Sequence, residues 1–129
     1  MNTEKNIKTL IVKKPLKLDC GKTINNFPVA FETYGSLNDN KDNAILVFHA
    51  LTGDQFVTGL NPITKKDGWW SFAVGPDKAI DTNKYFVICS NVIGGCMGSY
   101  GPSHKDPETQ KTFGTVSYTH LTLPTMIRV

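Results

Sequence analysis

Ala44-Ile45-Leu46-Val47-Phe48-His49-Ala50-Leu51-Thr52-Gly53-Asp54 decides how this chain is to be read. An unbroken apolar run ends abruptly at a polar turn that contains glycine. The run is too short for a helix buried on all sides, and it is aliphatic and aromatic. It therefore predicts a strand buried on both faces, of the kind found in the middle of a parallel sheet. Open α/β sheets bind ligands just beyond the carboxyl ends of such strands. His49 to Asp54 is thus the expected place for chemistry.

Working outward, Tyr85 to Cys89 predicts a second buried strand, followed by the glycine-rich stretch Asn91 to Gly101. Two buried strands about forty residues apart, each ending in a glycine loop, fit sequential strands of an α/β sheet. Between them, Leu51 to Thr82 contains Gly53, Gly59, Pro62, Gly68, Gly75 and Pro76, which leaves no room for a long helix. Upstream, Ile7 to Val12 predicts a first strand, stopped at Pro15. Asp19-Cys20-Gly21-Lys22 predicts a turn. Phe27 to Thr33 alternates, with Phe27, Val29 and Phe31 on one side, and predicts a half-exposed strand at a sheet edge that tolerates Pro28. The further strands and crossover helices that a complete sheet needs are not supplied by Lys105 to Val129. A half-sheet of this kind exposes an unpaired strand edge and apolar faces, so aggregation or dependence on a partner is expected.

With 129 residues, 40% apolar and 19% charged, the composition is that of an ordinary globular domain or part of one. The net charge of +3 is small and the lysines are scattered among acids, which argues against nucleic acid as a partner. No apolar run approaches membrane-spanning length, and Leu10-Ile11-Val12 is too short for a signal-peptide core, so a cytoplasmic protein is expected. Cys20, Cys89 and Cys96 are odd in number and irregularly spaced, which predicts reduced thiols and no zinc site.

Three features could carry chemistry. Gly94-Gly95-Cys96-Met97-Gly98 has the form G-x-nucleophile-x-G, so a thiol esterase using Cys96 is one reading. A nucleophile elbow needs a helix to start directly after it, and Gly98-Ser99-Tyr100-Gly101-Pro102 cannot open one there. The alternative is a packed thiol in a glycine loop. Ser99 fits the elbow less well, because Met97 occupies the first glycine position. Among the histidines, His49 is expected to be held against a neighbouring loop, His104 to be solvated, and no context selects either as a base. Finally, the turn His49-Ala50-Leu51-Thr52-Gly53 is either an ordinary connection or a source of backbone N–H donors for developing negative charge.

Several stretches in order resemble one family: Phe31-Glu32-Thr33-Tyr34-Gly35, His49 to Asp54, Gly68-Trp69-Trp70, Gly75 to Ser99 and Gly101-Pro102-Ser103. They are similar to homoserine O-acetyltransferase, over roughly Leu10 to Gly114. The resemblance implies the N-terminal part of an α/β-hydrolase fold, strand-rich and with an incomplete central sheet. It implies acetyl transfer from acetyl-CoA, a co-substrate rather than a bound cofactor, to the homoserine hydroxyl in methionine biosynthesis. It further implies an acyl-serine route through a Ser-Asp-His triad, no metal, and a cytoplasmic homodimer as the intact form. Leu51 stands where a backbone N–H would complete the oxyanion hole. Thr52, Gly53, Gly94 and Gly95 stand in substrate-lining positions. Ser71 and His104 depart from the pattern in minor ways. The elbow serine and the later aspartate and histidine do not occur, so the chain is expected to be inactive by itself, or a fragment without a catalytic role.

From about Thr115 the pattern stops. Val116-Ser117-Tyr118-Thr119-His120-Leu121-Thr122-Leu123-Pro124-Thr125 resembles a translated sequencing adaptor, and Arg128, the sole arginine, lies in the same stretch. The expected division is 1–114 as the N-terminal portion of the acyltransferase domain and 115–129 as a non-native tail, with no function for His120.

Overall fold

A computed structural model describes residues 7–105 and 110–112. Its strands are β1 (Lys8–Val12), β2 (Leu16–Lys17), β3 (Thr23–Ile24), β4 (Phe27–Tyr34), β5 (Ala44–Val47), β6 (Val74–Gly75), β7 (Ile80–Asp81) and β8 (Phe86–Ser90). Four of them form a sheet in the order β1-β4-β8-β5, while β2 with β3 and β6 with β7 form two-stranded ribbons. The described residues contain no helix. The strand-rich, incomplete sheet expected from the sequence is what is found. The described residues fall into two compact units, one of residues 7–8 together with 31–90, the other of 9–30 together with 91–105 and 110–112.

In the first unit, β5 and β8 run parallel, with Ile45 opposite Val87 and Val47 opposite Cys89. β8 pairs antiparallel with β4 on its other side, from Phe31–Ser90 to Tyr34–Val87. Paired residues share a face. Val47, Val57, Val74, Val87 and Cys89 accordingly form one buried cluster, flanked by Tyr34, Ile45, Trp70 and Ile80. Each fully buried valine contributes about 1.5–3 kcal/mol. Tyr34 ties the crossover to the sheet. Its hydroxyl accepts from the Val57 N–H at 3.0 Å and donates to the Gln55 carbonyl at 3.4 Å. Burial pushes the phenol up to about 12.

One expectation fails here. β5 is not in the middle of the sheet but at its end, and it is buried on one face only. Val47 is 6% exposed, whereas Leu46 is 55% and Phe48 77% exposed. The unbroken apolar run fits two-sided burial, but the described residues supply only one covering layer. The connection from β5 to β8 is irregular, as its glycines and prolines predict. Within it Gly68 approaches the main chain of Val57 and Thr58 so closely that a Cβ would lie 2.4 Å from the Thr58 nitrogen.

In the second unit, β2 and β3 pair antiparallel across the turn at Leu18 to Lys22, where Gly21 adopts a φ of +83°. The alternation expected for Phe27 to Phe31 is broken. Phe27 and Ala30 are buried, at 4% and 0% exposure, while Val29 and Phe31 are intermediate. The reason lies in the loop that follows β8. Its Tyr100 N–H donates to the Pro28 carbonyl and its Asn91 N–H to the Ala30 carbonyl, both at 2.8 Å. The Ala30 N–H donates to Ser99 Oγ at 2.9 Å. A loop, not a strand, therefore satisfies this part of β4. Pro28 has no N–H to leave unsatisfied.

Candidate active site

The apolar run of β5 gives way to a tight turn. The Gly53 N–H donates to the Ala50 carbonyl at 2.8 Å, closing Ala50 to Gly53 as a four-residue turn. His49, 9% exposed, packs beneath it, and its Nδ1–H donates to the same carbonyl at 2.7 Å. A carbonyl can only accept, so this contact fixes the proton on Nδ1. His49 is thus held against the neighbouring loop, as expected. A Cβ on Gly53 would meet His49 Cβ at 3.1 Å, so the turn has little space for a side chain at its last position.

Leu51 and Thr52 are the two central residues of the turn and both are exposed. Neither N–H donates to an acceptor among the described residues. In a turn closed from the first to the fourth residue, the central amides point away from the closing bond. Two adjacent donors at the carboxyl end of a parallel strand can stabilise an oxyanion.

The far side of the turn is clamped by Asp54. Its carboxylate accepts from the Phe56 N–H at 2.8 Å and from Asn61 Nδ2 at 3.1 Å. Its carbonyl accepts from Trp69 Nε1 at 2.9 Å, and the Cys89 thiol points to it at 3.8 Å. Trp69 stacks on Trp70 with centroids 5.7 Å apart. Asn61, 4% exposed, in turn accepts at Oδ1 from the Ile63 and Thr64 N–H groups. The sequence reading missed Asn61 as a support. Its signal was the Asn61-Pro62 dipeptide, which favours a turn closed by the asparagine side chain. Ser71 makes a local bond, Oγ donating to the Gly68 carbonyl at 2.8 Å. Burial first, and the Asp54 charge second, push the Cys89 thiol up to about 11, so it stays protonated and inert.

The glycine loop lies in the second unit and is described by itself. Gly94 has a φ of +88°. Its N–H donates to the Tyr100 carbonyl at 2.7 Å and that of Gly95 to the Val92 carbonyl at 2.9 Å. Both amides are thus spent inside the loop, and what Gly94 and Gly95 can offer a ligand is shape. A Cβ on Gly95 would lie 2.4 Å from Asn91 Oδ1, and one on Gly101 2.4 Å from the Gly95 carbonyl. Ser99, 1% exposed, donates from Oγ to the Asn91 carbonyl at 2.6 Å while accepting from Ala30, which makes it a structural bridge. Cys96 is exposed and no helix begins after it, so the elbow geometry is missing. His104 departs from the solvated expectation. Its Nδ1 accepts from the Gly101 N–H at 3.2 Å and its ring leans on Tyr100 at 5.3 Å.

The structure therefore gathers Leu51, Thr52 and Gly53 into one turn, while Gly94 and Gly95 belong to a separate loop in the other unit. Among the described residues no group of three or more histidine, cysteine or acidic side chains is placed to hold a metal ion. No helix among them is long and apolar enough to cross a membrane. His120 and the stretch 115–129 lie outside the described residues.

No protein-family model matches the chain. Individual proteins do. It is 75% identical over 115 residues to the homoserine O-acetyltransferase of Pelagibacter ubique (strain HTCC1062), a match covering 89% of this chain and 31% of that protein. It is 56% identical over 115 residues to the homoserine O-acetyltransferase of Nitrobacter hamburgensis, covering 89% of this chain and 29% of that one. Among solved structures, homoserine O-acetyltransferase from Bacillus anthracis superposes with a TM-score of 0.73 at 31% identity, over 84% of this chain and 30% of its own. Esterase E22 superposes with a TM-score of 0.72 at 29% identity, over 84% of this chain and 31% of its own. The chain thus spans less than a third of the length of these relatives. High identity along nearly all of its length, on a strand framework shared with the same enzymes, shows that the chain is similar to the N-terminal part of homoserine O-acetyltransferases with the α/β-hydrolase fold.

Proposed function

We propose that this chain supplies the anion-stabilising half of an acyltransferase site, with Leu51 N–H as one oxyanion donor. The single observation that carries the reading is the turn Ala50 to Gly53. It closes on itself through Gly53 and leaves the Leu51 and Thr52 amides without an acceptor among the described residues. In the intact protein, a nucleophile outside this chain takes the acetyl group from acetyl-CoA and passes it to the homoserine hydroxyl. The carbonyl carbon becomes tetrahedral in each half-reaction, and the charge on its oxygen is what a backbone N–H stabilises. Thr52 and Gly53 line the same turn. Gly94 and Gly95 spend both amides inside their own loop and are assigned no donor role. The product feeds methionine synthesis in the cytoplasm, and the intact enzyme is a homodimer. Acetyl-CoA and homoserine are substrates, and no bound cofactor takes part.

The described residues contain no serine in an elbow, so residues 1–129 by themselves are expected to release no CoA from acetyl-CoA with or without homoserine. Joining residues 1–114 in frame to the part of the Pelagibacter ubique relative beyond the matched 115 residues should give homoserine-dependent CoA release. An in-frame fusion that folds and hydrolyses acetyl esters but does not acetylate homoserine defeats this reading. It would favour the esterase reading that the similarity to esterase E22 raises. Residues 115–129 are proposed to lie outside the domain; the genomic reading frame after Gly114 tests this directly.

A further inference from the structure

Residues 57–70 fold back on themselves as an irregular hairpin. The Trp70 N–H donates to the Val57 carbonyl at 2.8 Å, the Gly68 N–H to the Gly59 carbonyl at 2.7 Å and the Asn61 N–H to the Lys66 carbonyl at 2.8 Å. Leu60 and Asp67 pair antiparallel between these bonds. The base of the hairpin is fixed in the core, because Val57 is fully buried and Thr58 Oγ1 donates to the Val74 carbonyl of β6 at 2.8 Å. Both arms reach the residue that follows the Ala50 to Gly53 turn. Asn61, on the outgoing arm, donates from Nδ2 to the Asp54 carboxylate at 3.1 Å, and Trp69, on the returning arm, donates from Nε1 to the Asp54 carbonyl at 2.9 Å. The Asn61 amide has one workable orientation. Its Oδ1 accepts from the Ile63 and Thr64 N–H groups at 2.9 and 3.1 Å, so a flipped amide would set its NH2 against two donors and its oxygen against a carboxylate. At 4% exposure Asn61 has little access to water as a substitute partner.

We infer that Asn61 is a positioning residue for the oxyanion turn. Through its bond to Asp54, the hairpin 57–70 fixes the peptide next to Gly53, and with it the direction of the Leu51 N–H. The inference rests on the proposed function, since it needs the turn to act on a developing charge. What the lock requires is one donor facing one acceptor between positions 54 and 61, not a charge at a given end.

The test exchanges the two side chains on the in-frame fusion of residues 1–114 to the remaining part of the Pelagibacter ubique relative. Asn61→Asp sets one carboxylate against another, and Asp54→Asn sets one NH2 group against another. Each should lower kcat for homoserine-dependent CoA release by about tenfold or more, the scale of a misplaced catalytic group. KM for homoserine should change by less than about threefold. The two substitutions together reverse the bond without removing it. The amide introduced at 54 donates to the carboxylate introduced at 61, while the remaining oxygens still accept from the Phe56, Ile63 and Thr64 N–H groups. The double variant should therefore return kcat to within about threefold of the unaltered fusion. Trp69 and Trp70 are the two tryptophans of the chain, so the emission of the 129-residue chain follows the clamp independently of activity. It should move to longer wavelength in each single variant and return in the double variant. Single variants with unchanged emission or unchanged kcat, a folded double variant that does not regain kcat, or a loss seen only as a lowered urea midpoint overturns the inference and leaves the proposed function standing. If the single variants do not fold, the double variant decides: regained kcat supports the lock and lost kcat overturns it. An unaltered fusion that folds but does not acetylate homoserine defeats the proposed function, and the positioning role falls with it.

Discussion

Replacing Leu51 by proline removes one N–H and very little else. Leu51 is the second residue of the turn, a position that proline favours because its fixed φ suits it. The φ of Leu51 is not positive, so the ring imposes no left-handed strain. The closing bond from the Gly53 N–H to the Ala50 carbonyl at 2.8 Å does not involve Leu51. The leucine side chain is 56% exposed, so the stability cost of the exchange should stay within about 0.5–1 kcal/mol. Loss of one oxyanion donor costs about 10²–10³ in kcat, or roughly 2.7–4 kcal/mol of transition-state stabilisation. The assay is CoA release from acetyl-CoA with homoserine, on the in-frame fusion of residues 1–114 to the remaining part of the Pelagibacter ubique relative. Leu51→Pro should lower kcat by that factor and leave KM for homoserine within about threefold, because the donor acts on charge that develops only in the transition state. Leu51→Ala, which keeps the N–H, should retain activity. A Leu51→Pro fusion that is folded and keeps kcat within about threefold refutes the assignment, as does a Leu51→Ala variant that loses as much.

Other expectations concern the supports and the titrating groups. Trp69→Phe preserves an aromatic ring beside Trp70 but deletes the donor to the Asp54 carbonyl. It should lower kcat of the fusion by about tenfold through a loosened turn, while Trp69→His, which can restore an N–H, recovers part of the loss. Ser99→Ala strips a buried acceptor from the Ala30 N–H and a donor from the Asn91 carbonyl. It should cost about 1–3 kcal/mol for each group left unsatisfied, read as a lowered urea midpoint of the fusion. Cys20 and Cys96 are exposed and should react with a disulfide reagent in the folded chain, while Cys89 should react only after unfolding. Alkaline pH gives a signed test. Folding raises Cys89 from its ordinary 9.0 to about 11 and Tyr34 from 10.0 to about 12. Both groups are held protonated by burial, so their contribution is complete below pH 9 and is lost as pH rises through 11 and then 12. Cys89→Ala should remove the lower part of that alkaline loss, seen as a flatter urea midpoint between pH 9 and 11, on a lower baseline from the cavity.

Much of the framework is legible along the chain because it depends on local pattern. The run Ala44 to Phe48 and the run at Tyr85 to Cys89 are strands because short apolar β-rich segments ending in turns have few alternatives. Glycines and prolines between them exclude a long helix. The family was legible for a different reason, since several motifs stand in one order. Positions that depend on distant partners were not legible. Broken alternation at Ala30 follows from a bond to Ser99, 69 residues away. Asn61 and Trp69 support the turn through side chains that only folding brings to Asp54. His104 is engaged because Tyr100 and Gly101 curl back to it.

By itself the sequence determined that β5 is an apolar strand ending in a glycine turn, that the thiols have no zinc spacing, and that no G-x-S-x-G serine stands within these 129 residues. Local pattern suffices for these, because strand and turn preferences act over a few residues. Only the tertiary structure decided that β5 ends the sheet, with Val47 in the core and Phe48 77% exposed. Burial is a relation between a residue and whatever covers it, and an apolar run states only that a cover is needed. The same holds for the donors. Sequence put Leu51 and Gly53 in one turn, but which amide closes it and which stays available was settled by the bond from Gly53 to Ala50.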